Sequence, residues 1–271
     1  MSFQSPFAHH QTSWSNCRVK IGSVIQQLGN IDRAIRDHAK ETLIANGANS
    51  LPTLAEILRT YKSWDDYESR GQVFTLVEDI LVTIGEPAVD LLISLLDDER
   101  WGPKHGAIYC LKEIGDKRGI PSLVYALGWD DVNFTTEISE ALLQFGKMSV
   151  NALKQALLGP NVAVREHAAF CLGRFQDADA DLALIQAFSR ETSTEVKAAI
   201  AYALGRPNIA VALPTLLLGL VDEEKEVRIA CVVALGEIGD RQAVSALENT
   251  LLDDDPEVRE KATEALQQIR N

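Results

Sequence analysis

The chain has 271 residues and a formal net charge of −13; 46% of its residues are hydrophobic and 24% are charged. This composition is typical of a well-packed globular protein. A transmembrane helix needs an apolar run of about 18 residues, and the sequence contains none of that length. The negative charge argues against nucleic acid or an anionic membrane as the main partner, because both repel an acidic protein at long range. We therefore expect the partner to be a protein surface or a small ligand.

The N-terminus differs in character from the rest of the chain. Residues 1–17 are polar, and the first twenty residues have neither the basic start nor the apolar core of a secretory signal. We predict a polar lead-in over 1–17 and a single repeat domain over 18–271. The four cysteines, Cys17, Cys110, Cys171 and Cys231, show no paired spacing, which indicates reduced thiols and a cytoplasmic location.

A motif of about 31 residues recurs along the chain, which is the signature of a solenoid. In chain order its eight copies begin at Ile35, Val73, Pro103, Phe134, Val164, Val196, Val227 and Val258. The last four copies are the clearest. The segment YKSWDDY, residues 61–67, lengthens the second copy, and we expect it to form a loop.

Each copy contains two amphipathic helical patterns, and the second helix of the seventh copy shows the pattern best. Its apolar positions fall on one face, namely Val227, Ala230, Cys231, Ala234, Leu235 and Ile238. Gly239 occupies a C-cap position, while Asp255 and Pro256 provide the N-cap and the first position of the next second helix. Because one helix pair cannot bury its own apolar face, we predict an all-α fold, a right-handed α-solenoid of about eight stacked pairs.

A basic residue follows the start of the second helix in six copies: Arg36, Lys104, Arg165, Lys197, Arg228 and Arg259. Acidic residues such as Asp222 and Asp253 end first helices. One interpretation is a ladder of caps and ion pairs between repeats, each contributing about 0–1 kcal/mol where exposed. The other is a basic track for the propionate or phosphate groups of a ligand.

The cysteines and histidines give few signs of chemistry. Cys110 and Cys171 share a position that is usually alanine, so we predict both in the core. Cys17 lies in the polar lead-in, where we expect it to be exposed, and a metal or thiol role is one interpretation of it. We expect His38 and His167 to be half-buried packing residues and His105 to be exposed. No cluster has metal-ligand spacing, and we predict no metal site.

The sixth position after each start forms a row that points away from the apolar stripe. Its members are Glu41, Asp79, Tyr109, Glu140, Phe170, Tyr202, Val233 and Glu264. The candidate partner-binding residues on the concave face are Tyr109, Phe170, Tyr202 and Val233 of this row, with Arg174 and Arg206 one turn further along. Aromatic and arginine side chains suit a protein surface or a planar ligand with carboxylates; the alternative is packing against the neighbouring repeat.

Three tryptophans, Trp64, Trp101 and Trp129, are expected in the turns between first and second helices of successive copies. They form a second candidate patch along one edge, because exposed tryptophan is uncommon without a partner. Half-buried loop packing is the alternative.

The segments VREHAAFCLGRF and VRIACVVALGEIGDRQAVSAL, which begin at Val164 and Val227, resemble the short HEAT-like repeats named after phycobilisome lyases. The core of those repeats reads V-R-x-x-A-x-x-A-L-G-x-[IL]-G-D, and the resemblance is strong from Val164 to Ile269. It implies HEAT-like helix pairs. The client that it implies is a phycobiliprotein or a second HEAT-repeat subunit, with a transiently bound phycobilin and no permanent cofactor.

No phosphate loop, nucleophile elbow or zinc spacing occurs in the sequence, so no catalytic residue is assigned. The leading hypothesis is a protein-binding HEAT-repeat scaffold, a chaperone-like adaptor for a phycobiliprotein or its bilin. The alternatives are a subunit of a phycobilin lyase or lyase-isomerase, and an adaptor in another pathway such as iron–sulfur assembly.

Overall fold

The computed structural model describes residues 23–207 and 210–270, without the side chains of residues 64, 65 and 67–70. Within these residues the regular elements are α-helices and short 3-10 turns, and no strand occurs among them. Residues 23–28 are helical, and fifteen α-helices follow, which we number α1 to α15.

The helices alternate between the two predicted types. The second helices are α1 (Arg33–Ala45), α3 (Trp64–Ile84), α5 (Trp101–Ile114), α7 (Val132–Gln144), α9 (Val162–Arg174), α11 (Thr194–Leu204), α13 (Lys225–Ile238) and α15 (Pro256–Arg270). The first helices are α2 (Leu51–Leu58), α4 (Val89–Leu95), α6 (Ile120–Ala126), α8 (Lys147–Ala156), α10 (Ala178–Phe188), α12 (Leu213–Gly219) and α14 (Val244–Thr250). With residues 23–28 as the first member, they make eight pairs, and the prediction of an α-solenoid of helix pairs is confirmed.

The turns use the chemistry that the sequence indicated. Gly239 ends α13 with φ +73°, and its amide donates to the carbonyl of Leu235 at 3.2 Å. A residue with a side chain is strained in this left-handed conformation, so glycine fits there. Asp255 precedes α15, and its carboxylate accepts a hydrogen bond from the amide of Glu257 at 2.9 Å.

The chain divides into two compact units, one ending at Gly119 and the other beginning at Ile120. In the N-terminal unit, α3 packs on α1 and α5. The expectation that residues 61–67 form a loop is wrong from Trp64 onward. Helix α3 begins at Trp64 and runs for 21 residues to Ile84, so the copy at Val73 starts inside it.

In the C-terminal unit each second helix packs on the next, from α7 to α15. A Cβ on Gly173 would lie 2.7 Å from the Cβ of Ala203, so the absence of a side chain lets α9 and α11 approach closely. The same contact recurs between Gly205 and Ala234. Since Arg165 near the start of α9 also binds Glu191 just before α11, these two helices meet at both ends and run parallel.

The predicted apolar stripe of α13 is buried throughout, with Val227, Ala230, Cys231 and Leu235 fully covered. Cys110 and Cys171 are also fully buried, which confirms their placement in the core. Burial raises the pKa of Cys171 to about 11 and that of Cys231 to about 12. Cys17 lies outside the described residues.

Three of the six basic residues near the helix starts, Arg165, Lys197 and Arg228, form ion pairs with the next repeat and make the structural ladder. Arg36 and Arg259 donate to carbonyls of the preceding turn. Arg228 donates from Nε and Nη2 to the carboxylate of Asp253 at 2.8 and 2.9 Å. Its Nη1 donates to the carbonyls of Asp222 and Glu223 at 2.9 and 3.1 Å. One guanidinium therefore caps the preceding turn and bridges to the next repeat.

The same arrangement recurs two repeats earlier. Arg165 binds the carboxylate of Glu191 through two hydrogen bonds of 2.8 and 3.1 Å, and it also donates to the carbonyls of Gly159 and Pro160. Lys197 pairs with Asp222 between these two arginines. These side chains are committed to the fold, which argues against their use as a basic track for a ligand.

Candidate functional site

A groove of about 920 Å³ opens in the C-terminal unit on the second helices α7, α9 and α11. Four of the six predicted partner-binding residues line it, namely Phe170, Arg174, Tyr202 and Arg206. The structure therefore brings together the part of the row that falls in the fifth and sixth repeats.

The groove crosses the three helices diagonally. On α7 its lining runs from Val132 to Ser139, in the N-terminal half of the helix, whereas on α9 it extends from Ala163 to Arg174. On α11 and just beyond, it runs from Ala199 to Arg206. Since the helices are parallel, one end of the groove lies at helix N-termini and the other at helix C-termini.

Phe170 and Tyr202 are the aromatic side chains of the groove on α9 and α11. Phe170 is 49% exposed and Tyr202 is 50% exposed. Packing against neighbouring repeats therefore leaves about half of each side chain accessible to a partner. Arg174 lies one turn beyond Phe170, with its guanidinium carbon 6.0 Å from the ring centroid, within reach of a cation–π contact. Arg174 is exposed, and it makes no ion pair with any residue that the structure describes.

Arg206 also lines the groove, but its guanidinium is engaged in the fold. It pairs with the carboxylate of Asp181 and donates to the carbonyl of Phe175. Burial raises the pKa of Asp181 although Arg206 opposes the change. Arg206 therefore contributes to the fold, and Arg174 is the cation at this end that makes no ion pair among the described residues.

Hydroxyl groups form part of the groove wall on α7. Thr136 Oγ1 donates to the carbonyl of Val132 at 2.8 Å, and Ser139 Oγ donates to the carbonyl of Thr135 at 2.7 Å. Each hydroxyl oxygen retains acceptor capacity after donating its proton. Thr136 is exposed, so its oxygen is an acceptor in the groove, whereas Ser139 is buried.

The N-terminal end of the groove is acidic. Asp130 and Asp131 lie in the turn before α7, and Glu166 lies near the start of α9. Asp131 is the N-cap of α7 and accepts from the amides of Asn133 and Phe134 at 2.9 and 3.3 Å. Asp130 and Glu166 have no ion-pair partner among the described side chains.

The tryptophan patch is divided between different settings. Trp129 lies in a turn as predicted, lines the groove, and packs edge-on against Phe134 at 5.7 Å between ring centroids. Trp101 is instead the first residue of α5, and it stacks on His105 at 4.5 Å. Trp64 likewise begins α3, and its side chain lies outside the described part of the chain. The prediction that all three lie in turns is therefore wrong for Trp64 and Trp101.

Tyr109 and Val233 lie outside the groove. Tyr109 belongs to α5 of the N-terminal unit, where it is half-buried with Lys112 Nζ 5.5 Å from its ring centroid. Val233 is half-buried on α13. A role of either residue in binding stays a prediction.

The histidine expectations are partly wrong. His105 is half-buried rather than exposed, because it lies against Trp101 with its Nδ1 3.3 Å from Oε1 of the buried Glu78. His38 is exposed, whereas His167 is half-buried as expected and lines the groove.

Sequence reasoning did not single out the hydroxyl and acidic members of the groove, such as Thr136, Ser139 and Glu166. A signal in the sequence could have identified Glu166. Glu166, Phe170 and Arg174 follow one another at intervals of four residues, which places the three on one face of a helix. Across the described residues, no group of three or more His, Cys, Asp or Glu side chains is arranged to hold a metal ion. None of the described helices is both long enough and apolar enough to span a membrane.

Comparisons with solved structures find other helical repeat proteins. The crystal structure of Kap121p aligns with 93% of this chain and 34% of its own, at 12% identity and a TM-score of 0.60. Kap121p bound to the extreme C-terminus of the protein phosphatase Cdc14p aligns with the same shares, at 13% identity and a TM-score of 0.57. Human deoxyhypusine hydroxylase aligns with 95% of this chain and 98% of its own, at 20% identity and a TM-score of 0.41.

Among curated proteins none matches the sequence. The family profile of HEAT repeats matches residues 150–217 and 213–271, which include α9, α11, α13 and α15. The fold is an all-α solenoid of stacked helix pairs, and residues 150–271 of it are similar to HEAT repeats.

Proposed function

We propose that this chain is a protein-binding scaffold and that the groove on α7, α9 and α11 holds a segment of its client. The observation that carries the proposal is the pair of half-exposed aromatic side chains, Phe170 and Tyr202, in one groove of about 920 Å³. Beside them lies Arg174, which has no ion-pair partner among the described residues. Aromatic and arginine side chains are enriched among the residues that dominate binding energy at protein interfaces.

Further support comes from α9, on which different residues serve the fold and line the groove. Arg165 and Cys171 serve the fold through the ladder and the core, whereas Phe170 and Arg174 face the groove. A karyopherin with a similar fold binds the extreme C-terminus of a phosphatase, so a HEAT-like solenoid of this kind is compatible with holding a peptide segment. The net charge of −13 favours a client that is not itself strongly acidic.

The finer proposal is that the client is a phycobiliprotein or a second HEAT-repeat subunit, with a phycobilin bound transiently. The observation that favours a bilin is the Phe170–Arg174 pair, since a planar tetrapyrrole with propionates suits an aromatic face beside a guanidinium. Mixing the purified chain with phycocyanobilin tests this idea. A shifted, protein-bound absorption band that weakens in Phe170→Ala and Arg174→Ala supports it; an unchanged bilin spectrum contradicts it. A lyase subunit would in addition transfer the bilin to an apo-phycobiliprotein.

The scaffold proposal is tested by selecting displayed random dodecapeptides on the immobilised chain and measuring their affinity by fluorescence polarisation. We expect Phe170→Ala and Tyr202→Ala each to weaken binding about 10- to 30-fold, which corresponds to about 1.4–2 kcal/mol. Their thermal midpoints should stay within about 2 °C of the wild type, because these side chains fill no core cavity.

The matched control is Tyr125→Ala. Tyr125 is 74% exposed on α6 of the same unit and lies outside the groove lining. Its removal should leave peptide binding unchanged. Selected peptides that bind Phe170→Ala and Tyr202→Ala as tightly as the wild type would show that the client site lies elsewhere.

A further inference from the structure

The exposed face of α9 carries three side chains of different character in one line. Glu166, Phe170 and Arg174 follow each other at intervals of four residues and all line the groove. Side chains four apart lie one above the other on a helix, so the line reads acid, aromatic, base. At about 1.5 Å per residue, Glu166 and Arg174 are about 12 Å apart along the helix axis.

The two charges of this line are left for a partner. A glutamate and an arginine commonly pair on a helix surface when they are four residues apart. Glu166 and Arg174 are eight residues apart, and Phe170 lies between them. Neither Glu166 nor Arg174 forms an ion pair in the described part of the structure. In contrast, the ladder arginine of the same helix, Arg165, is fully engaged by Glu191 and two carbonyls.

The surroundings extend this polarity over the whole groove. Asp130 and Asp131 add negative charge at the end that holds Glu166, where helix N-termini meet. At the opposite end Arg206 is neutralised by Asp181, so among the described residues of the groove Arg174 is the arginine that remains unpaired. The groove thus presents a negative end, an aromatic centre and a positive end.

We infer that the groove selects an extended peptide segment with a cationic side chain, an apolar or aromatic side chain, and a carboxylate at alternate positions. This inference rests on the proposed function and names the chemistry of its client. In an extended chain the first and fifth residues point to the same side and lie about 13 Å apart, close to the separation of Glu166 and Arg174. The central side chain then meets Phe170 and Tyr202.

The exposed hydroxyl group of Thr136 favours an extended segment over a helix. An extended backbone presents N–H groups that need acceptors, and the oxygen of Thr136 provides one. A helix satisfies its own backbone and gains less from this hydroxyl. For a helical client the two charges would stand seven or eight residues apart, which gives a clear alternative to test.

The experiment uses three labelled probe peptides and fluorescence polarisation at pH 7.5 and low salt. The first probe is glycine- and serine-rich with lysine, phenylalanine and glutamate at its third, fifth and seventh positions. The second replaces the glutamate by lysine. The third is an alanine-rich helical peptide with lysine and glutamate eight residues apart and phenylalanine midway.

For the wild type we expect the mixed-charge probe to bind at least fivefold more tightly than either other probe. Arg174→Glu should reverse the preference and favour the lysine–lysine probe, because one end of the groove changes from attraction to repulsion. Glu166→Lys should weaken the mixed-charge probe by about fivefold. These differences should shrink in 0.5 M salt, since exposed charges are then screened.

The control variant is Arg190→Glu, which changes an exposed arginine outside the groove lining by the same charge and should leave the preference intact. Equal binding of the first two probes, no saturable binding up to about 1 mM, or tighter binding of the helical probe would each overturn the inference. If peptides from the random selection still lose affinity in Phe170→Ala, the scaffold proposal stands although this inference fails. If that loss is also absent, both fail.

Discussion

The two compact units of the chain pack their helices through different kinds of contact. In the C-terminal unit successive second helices meet through repeated contacts, such as Gly173 on Ala203 and Gly205 on Ala234. The N-terminal unit relies on contacts that occur once. Phe74 packs between Tyr61 and Trp101 at centroid distances of 4.8 and 5.6 Å.

The contrast extends to buried carboxylates. Hydrogen bonds from Arg228 hold the pKa of Asp253 below its usual range, so this carboxylate is favoured in its charged form. In the N-terminal unit, burial raises the pKa of Glu78, with the neighbouring His105 opposing the change. Asp253 is thus stabilised in its charged form by an arginine, whereas burial disfavours the charged form of Glu78. Asp98 of the N-terminal unit behaves like Asp253, because Arg100 and Arg59 pair with it and its pKa is lowered to about 2.

The largest expected effect concerns thiol labelling, which reports how often each unit opens. Cys110, Cys171 and Cys231 are fully buried, and we expect each to react about a thousandfold more slowly than in the unfolded chain, as for an opening free energy of about 4 kcal/mol. Cys110 of the N-terminal unit should react first. Cys17 should react at once. Mass spectrometry after timed quenching resolves the sites, and faster reaction of Cys171 than of Cys110 would show that the C-terminal unit opens more often than the N-terminal unit.

The ladder is tested by Arg228→Met. This change leaves the Asp253 carboxylate, whose side chain is 12% exposed, without its partner, and it also removes two hydrogen bonds to turn carbonyls. We expect the free energy of unfolding to fall by about 2–3 kcal/mol, measured in urea. Arg174→Met is the matched control and should change it by less than about 0.5 kcal/mol. Equal losses in both variants would remove the distinction between ladder and groove arginines.

The close helix contacts are tested by Gly173→Ala. A methyl group there would lie 2.7 Å from Cβ and 2.8 Å from Cα of Ala203, so the two helices must separate, at a cost of about 2 kcal/mol. Gly236→Ala should cost about half as much, because its shortest contact is with the end of the Gln268 side chain, which can move away. Thermal melts compare the two, and a neutral Gly173→Ala would show that α9 and α11 adjust freely.

The smallest effect is the stabilisation of the N-terminal unit by Glu78→Gln. The folded pKa of Glu78 lies above its ordinary value of 4.5, so the charged form disfavours folding above that raised pKa. We expect the variant to be more stable at pH 7 by less than about 1 kcal/mol. The advantage should vanish as pH falls to about 4.5, where the wild-type carboxyl is protonated in the folded state.

Hydrogen exchange at pH 7 and near pH 4.5 measures this effect within the N-terminal unit, with the exposed Glu113→Gln as control. The Asp253 pair should respond with the opposite sign. Its pKa is lowered, so its contribution is fully present above pH 3.8 and is lost only as pH falls through the lowered value. A gain in Glu78→Gln that persists at pH 4.5 would assign the effect to packing instead of charge.

The sequence by itself determined the period, the eight second helices, the buried stripe and the core cysteines. It also indicated the ladder, because basic residues recur at the position of Arg228 and acidic residues recur near the position of Asp253 in other repeats. These features depend on the 3.6-residue period of a helix and on contacts that recur every 31 residues, and both are written in local patterns. The expectation of a loop over residues 61–67 failed because α3 begins at Trp64, nine residues before the motif copy at Val73.

Only the tertiary structure decided which exposed residues share a groove and which charges remain available there. Arg174 and Arg206 occupy equivalent positions of neighbouring repeats, yet only Arg206 pairs with an acid, Asp181 of α10, among the described residues. Asp181 is not part of the recurring motif. Trp129 joins Phe170 in the groove, whereas Trp101 packs on His105. Such outcomes depend on distances between non-equivalent positions of neighbouring helices, and no period in the sequence encodes those distances.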